Sequence, residues 1–90
     1  MPSIDLVIQN KVGLHARPAT QFVKEAQKYQ SDIRVSSSTH GEVNAKSIVS
    51  ILSLGIACGT TITIRAEGAD AANALAGLRA LNEAGFGEKE

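Results

Sequence analysis

Residues 13–29, GLHARPATQFVKEAQKY, hold the start of a helix, and the organisation of the chain is read outward from it. Ala19, Phe22, Val23, Ala26 and Tyr29 recur at helical spacing, which gathers them on one face and leaves Gln21, Lys24, Glu25 and Lys28 toward water. Pro18 belongs in a first helical turn, where the N–H that proline lacks would have no intrahelical acceptor. The helix is therefore predicted over residues 16–29, with His15 at the cap position. Before it, Ile4, Leu6 and Ile8 alternate as a strand with one face on the core, and residues 9–14 form a loop.

After it, Ile33 and Val35 mark a second strand, residues 36–41 are polar turn material, and residues 42–45 around Val43 return as a third strand. Ser47 is a good N-cap for a short helix over residues 48–54, stopped by Gly55. Beyond a turn at Gly59, Ile62, Ile64 and Ala66 alternate as a fourth strand. Asp70 is predicted to cap a last helix carrying Leu75, Leu78 and Leu81, ending near Gly85, with residues 86–90 fraying. The order β-α-β-β-α-β-α is that of an α+β domain in which helices cover one face of an antiparallel sheet and leave the other open. No repeat or linker interrupts it, so a single domain is expected over residues 1–90.

Ninety residues leave little chain for an enclosed catalytic cleft, so function is expected at the surface. Aromatic residues are limited to Phe22, Tyr29 and Phe86, which gives no platform for stacking bases, and nine basic residues balance nine acidic ones. Nucleic-acid binding is disfavoured on both counts, and electrostatic steering has to come from local clusters. Cys58 is the only cysteine, so an internal disulfide and a multi-cysteine metal site are excluded and a reducing compartment is expected. The first residues lack a basic segment, and no apolar run approaches the roughly 20 residues of a membrane span. The expectation is a cytoplasmic protein without membrane insertion.

At the helix start, the unpaired backbone N–H groups of Ala16 and Arg17 and the positive end of the helix dipole create an anion site beside the His15 ring. Neutral imidazole has a lone pair that attacks phosphorus near physiological pH, and the resulting phosphoramidate gives its group up readily. Arg17 is two residues along, where a planar guanidinium can reach phosphate oxygens and neutralise charge during in-line transfer. A metal site is disfavoured because His40 is the only second histidine and no ligand stands at suitable spacing from His15. Hydrolysis by a Ser-His-acid set is weaker still, since residues 9–24 hold no carboxylate to orient the ring.

The run Gly13-Leu14-His15-Ala16-Arg17-Pro18-Ala19-Thr20 resembles the active-site signature of the HPr family, the histidine-containing phosphocarriers of the bacterial phosphoenolpyruvate:sugar phosphotransferase system. Asn44-Ala45-Lys46-Ser47-Ile48 followed by Leu54-Gly55-Ile56 resembles that family's second signature. The resemblance implies an open-faced sandwich of a four-stranded antiparallel sheet with three helices on one face. It also implies a carrier, not a free-standing enzyme: His15 takes a phosphoryl group on Nδ1 from phosphorylated enzyme I and donates it to the IIA units of sugar permeases, with Arg17 assisting. No cofactor is implied beyond that covalent group, and a monomer is expected.

Partners with acidic surfaces would meet Arg17, Lys24, Lys28 and Lys46, and Thr20 belongs with these partner-facing positions. Ile48, Val49, Ile51, Leu52 and Leu54 cannot all face the core of so short a helix, so Ile48, Val49 and Leu52 are expected to form an apolar docking patch. In several relatives the serine matching Ser47 is phosphorylated by HPr kinase/phosphorylase, which lowers transfer and creates a co-repressor for a catabolite regulator. The competing reading of Ser47 is a plain N-cap. A regulatory binding module of the same fold, as phospho-Ser47 co-repressor or in a nitrogen-related phosphotransfer branch, is the alternative to the sugar carrier. Intact His15 and Arg17 argue for the carrier.

Overall fold

The alternation of apolar residues becomes one buried face of a sheet. The structure, a computed structural model, describes residues 2–8, 16–38, 40–57 and 59–84. Its elements are β1 (Ser3–Val7), α1 (Ala16–Gln27), β2 (Asp32–Ser37), β3 (His40–Asn44), α2 (Ile48–Ser53), β4 (Thr61–Glu67) and α3 (Ala71–Glu83). The strands form one antiparallel sheet in the order β1-β4-β2-β3. Leu6 stands opposite Ile62, Ile4 opposite Ile64, and Val35 opposite both Ile64 and Val43. That register brings Leu6, Ile33, Val35, Ile62, Ile64 and Ala66 to the same side, all buried.

The three helices cover that side. Ala19, Phe22, Val23 and Ala26 of α1, Ile51 of α2, and Ala71, Ala74, Leu75 and Leu78 of α3 complete the core with Ile8, Leu54 and Ile56. On the other face Ser3, Asp5, Asp32, Arg34, Thr61, Thr63, Arg65 and Glu67 stand in pairs and ion pairs, such as Thr63 Oγ1 donating to Asp5 at 2.7 Å and Arg65 with Glu42 at 2.6 Å. The open-faced α+β sandwich is therefore as the alternation and the family resemblance imply.

Several boundaries differ from the sequence reading. Helix α1 stops at Gln27, so Tyr29 lies past its end: Lys28 and Tyr29 donate their N–H groups three residues back, to Glu25 and Ala26. The hairpin strands run further into the polar segment than expected, reaching Ser37 and resuming at His40, with an irregular register between Val35 and Ser37. Gly55 follows α2 with φ +60, and its N–H donates to Leu52. The expected loop over residues 9–14, Cys58 and the tail over residues 85–90 lie outside the described residues.

Asp70 requires a correction. It stands at the N-cap position of α3, yet its side chain bonds none of that helix's amides. The carboxylate instead accepts from the N–H groups of Gln30 and Ser31, each at 2.9 Å, and from the Ser31 hydroxyl. Three donors at the entry to β2 satisfy a carboxylate better than one capping N–H, so a long-range clasp replaces the local cap. The Ser31 hydroxyl first, then the Gln30 N–H, hold Asp70 below the ordinary carboxylate range against an opposing effect of desolvation. Gly68 completes this corner: its φ is +146, and a Cβ there would lie 2.8 Å from the Ser31 Cα.

Candidate functional site

Helix α1 begins at Ala16, the residue after His15, and Pro18 is buried in its first turn. The first-turn N–H groups of such a helix have no partners within it, which is the basis of the anion site inferred from the sequence. No acidic residue occupies that turn to compete with an incoming phosphoryl group for those N–H groups. Arg17 is exposed beside the helix start, and Thr20 and Lys24 are exposed further along. His15 itself lies outside the described residues.

The lysines differ from one another. Lys24 is exposed, whereas Lys28 forms an ion pair with Glu25 at 3.0 Å. Glu25 also accepts from the Tyr29 hydroxyl at 2.8 Å. Burial acts to raise the Glu25 pKa, but the hydrogen bonds from Lys28 and Tyr29 and the Lys28 charge prevail and hold it below its ordinary value. The same hydrogen bond, with desolvation, raises the Tyr29 hydroxyl. Helix α3 leaves space for this pair at Gly77, where a Cβ would fall 2.2 Å from the Tyr29 hydroxyl oxygen and 2.6 Å from Glu25 Oε2.

Lys46 is a fastener. Its Nζ donates to the Tyr29 carbonyl at 2.7 Å, and its own carbonyl accepts from Gln27 Nε2 at 3.2 Å. An ammonium at the carbonyl end of α1 is favoured by the helix dipole and satisfies an acceptor that the helix leaves open. Lys46 thus ties the end of α1 to the segment that enters α2. Sequence reading placed it among docking cations; the tie to a carbonyl some distance along the chain carries no local signal, and neither does the partner role of Gln27.

At the start of α2, Ser47 has extended backbone angles and its Oγ accepts from the Ser50 N–H at 3.4 Å, so it is an N-cap with a long bond. Only Ile51 of this helix is buried. Val49 is 73% exposed, Leu52 42% and Ile48 36%, in line with the argument that so short an apolar helix cannot bury all its side chains. Apart from Val7, these are the exposed large apolar residues among those described. Since α2 packs on α1, the patch belongs to the same helical layer as the α1 start. Among the described residues, no helix is long and apolar enough to cross a membrane, and no group of three His, Cys, Asp or Glu side chains stands where it could hold a metal ion.

Comparison with known proteins decides the family. A family model described as the PTS HPr component phosphorylation site matches residues 2–84. The chain belongs to the HPr family. Phosphocarrier protein HPr of Mycoplasma genitalium is 42% identical over 83 residues, covering 92% of this chain and 94% of its own. The crystal structure of an HPr from Thermoanaerobacter tengcongensis superposes with a TM-score of 0.94 at 44% identity and full coverage of both chains. A multiphosphoryl transfer protein of Vibrio cholerae is 45% identical over 83 residues, which span 90% of this chain and 21% of that much longer protein. HPr is a phosphocarrier of the phosphotransferase system and not a catalytic enzyme, and sugar transport is the setting of the family.

Proposed function

We propose that this HPr-family chain accepts a phosphoryl group on His15 from phosphorylated enzyme I and passes it to the IIA domains of sugar permeases. The observation that carries the reading is the start of α1 at Ala16, with Pro18 in its first turn and exposed Arg17 two residues after a histidine in sequence. In the accepting step the imidazole lone pair forms a bond to phosphorus while the donor's bond to phosphorus breaks. The next acceptor reverses the exchange. First-turn N–H groups at Ala16 and Arg17 and the Arg17 guanidinium take up charge on the phosphoryl oxygens, so catalysis is a matter of position and electrostatics. The covalent phosphoryl group is the only cofactor this requires, and the exchange runs in the cytoplasm between a monomer and its partners.

Docking falls to Ile48, Val49 and Leu52 together with Arg17, Thr20 and Lys24, with Lys28 already paired and Lys46 holding α2 in place. Ser47, half-buried at the edge of that patch, is the proposed regulatory position for HPr kinase/phosphorylase, the modified chain then serving a catabolite regulator. A phosphate there adds roughly two negative charges to a surface that meets acidic partners, so transfer falls without a change of fold. Incorporation by the kinase into the parent and not into Ser47→Ala supports this; no incorporation removes it. For the carrier function, labelled phosphoenolpyruvate with enzyme I labels the parent and leaves His15→Ala unlabelled. Retained label in His15→Ala refutes the site.

A further inference from the structure

The inward face of α3 runs through Ala71, Ala74, Leu75 and Leu78, and the next residue on it is Asn82, 2% exposed. An apolar side chain would continue that stripe at lower cost than an amide, which has to be desolvated and then paired. Half of the amide is paired: Asn82 Nδ2 donates to the Val7 carbonyl at 3.0 Å. Its Oδ1 is buried and has no partner among the described residues. A polar group kept at such a position calls for an explanation.

The direction of the bond supplies one. Ile8 uses both backbone groups on the β4 side, donating to Thr60 at 2.9 Å and accepting from Gly59 at 2.8 Å. Backbone groups alternate along a strand, so the Val7 carbonyl points the other way, off the edge of the sheet, because β1 is a terminal strand. Asn82 therefore holds the outer side of β1 at its last residue while β4 and its preceding turn hold the inner side. In sequence, only residues 9–15 lie between Ile8 and the first residue of α1, and the last of them is His15.

We propose that Asn82 is a positioning residue for phosphoryl transfer: its amide fixes the end of β1 from which the chain departs toward His15. The inference rests on the carrier function proposed for His15. In-line transfer is sensitive to misplacement on the ångström scale, so an anchor at the departure point acts on the rate without touching the reacting atoms.

The test compares Asn82→Leu, which removes the amide and completes the apolar stripe, with Asp70→Asn, which weakens the clasp at the opposite end of α3. Asn82→Ala, which adds no bulk, stands in should the leucine variant fail to fold. Unfolding by urea, phosphorylation by phosphoenolpyruvate with enzyme I, and the NMR titration of the His15 ring protons are measured on each full chain. Asn82→Leu is expected to stay folded, to lose about tenfold in the saturated transfer rate with little change in KM, and to move the His15 titration. Asp70→Asn is expected to lose stability and leave both transfer and titration unchanged. Parental transfer and an unmoved titration in the Asn82 variant, with the parent itself labelled, overturn the inference and make Asn82 an edge cap alone. A parent that is never labelled overturns the carrier function instead.

Discussion

Replacing Gly77 with alanine tests how α1 and α3 are held together. In an exposed helix interior the change stabilises by about 1 kcal/mol, because alanine has the higher helix propensity. Here the added Cβ would meet the Tyr29 hydroxyl oxygen at 2.2 Å and its ring carbon Cζ at 3.1 Å, so the ring has to leave its place. That breaks the hydrogen bond to Glu25, whose side chain is only 16% exposed; a bond to a charged partner contributes about 1.5–3 kcal/mol, taken at the low end here. Displacing the ring from its packed position costs about another 1 kcal/mol. The sum is a net loss of about 1.5 kcal/mol, or roughly 6–12 °C in Tm for a domain of this size. Thermal and urea unfolding of Gly77→Ala, Tyr29→Ala and the double variant measure it. With Tyr29 absent only the Glu25 carboxylate, the far end of a flexible side chain, has to move aside, and Gly77→Ala is expected to stabilise by up to about 1 kcal/mol. The same effect in both backgrounds, or a higher Tm for Gly77→Ala alone, refutes the reasoning.

Other outcomes follow from the same structure. Asp70 and Glu25 both have folded-state pKa values below their unfolded ones, so the stability they contribute is full above the ordinary carboxylate range and lost as pH falls through the folded values. Urea midpoints of the parent should therefore drop as pH falls below the ordinary carboxylate range, and Asp70→Asn should flatten that limb; an unaltered slope contradicts the clasp. Gly68→Ala combines a strained φ with a Cβ against the Ser31 backbone, and a loss of at least about 2 kcal/mol in urea unfolding is expected. Val49→Asp, at a side chain 73% exposed, should leave unfolding within about 0.5 kcal/mol of the parent yet cut transfer about tenfold at low donor concentration. Parental transfer kinetics in that variant would remove the patch from docking.

What the sequence conveyed is what repeats locally. Alternation at Ile4, Leu6, Ile62 and Ile64 and helical spacing at Ala19, Phe22 and Ala26 are decided by neighbours two to four residues away, so strands, helices and the buried face were legible. The apolar excess of α2 was legible for the same reason, since six residues cannot turn every side chain inward. Asp70 looked like a cap because capping is a local rule, but Ser31, 39 residues earlier, offered it better donors. Lys46 looked like a docking cation because the Tyr29 carbonyl is distant in sequence and backbone groups leave no trace in composition. Gly77 and Asn82 carry no local signal; their meaning depends on which groups the facing element presents, and that is set by tertiary packing alone.

The most direct measurement is phosphorus NMR of the full chain after incubation with phosphoenolpyruvate and enzyme I. A resonance of a phosphoramidate on His15 Nδ1, lost on acidification and absent from His15→Ala, is the predicted result. A chain that shows no such signal beside a donor competent toward another HPr, or a His15→Ala variant that shows it, contradicts the account.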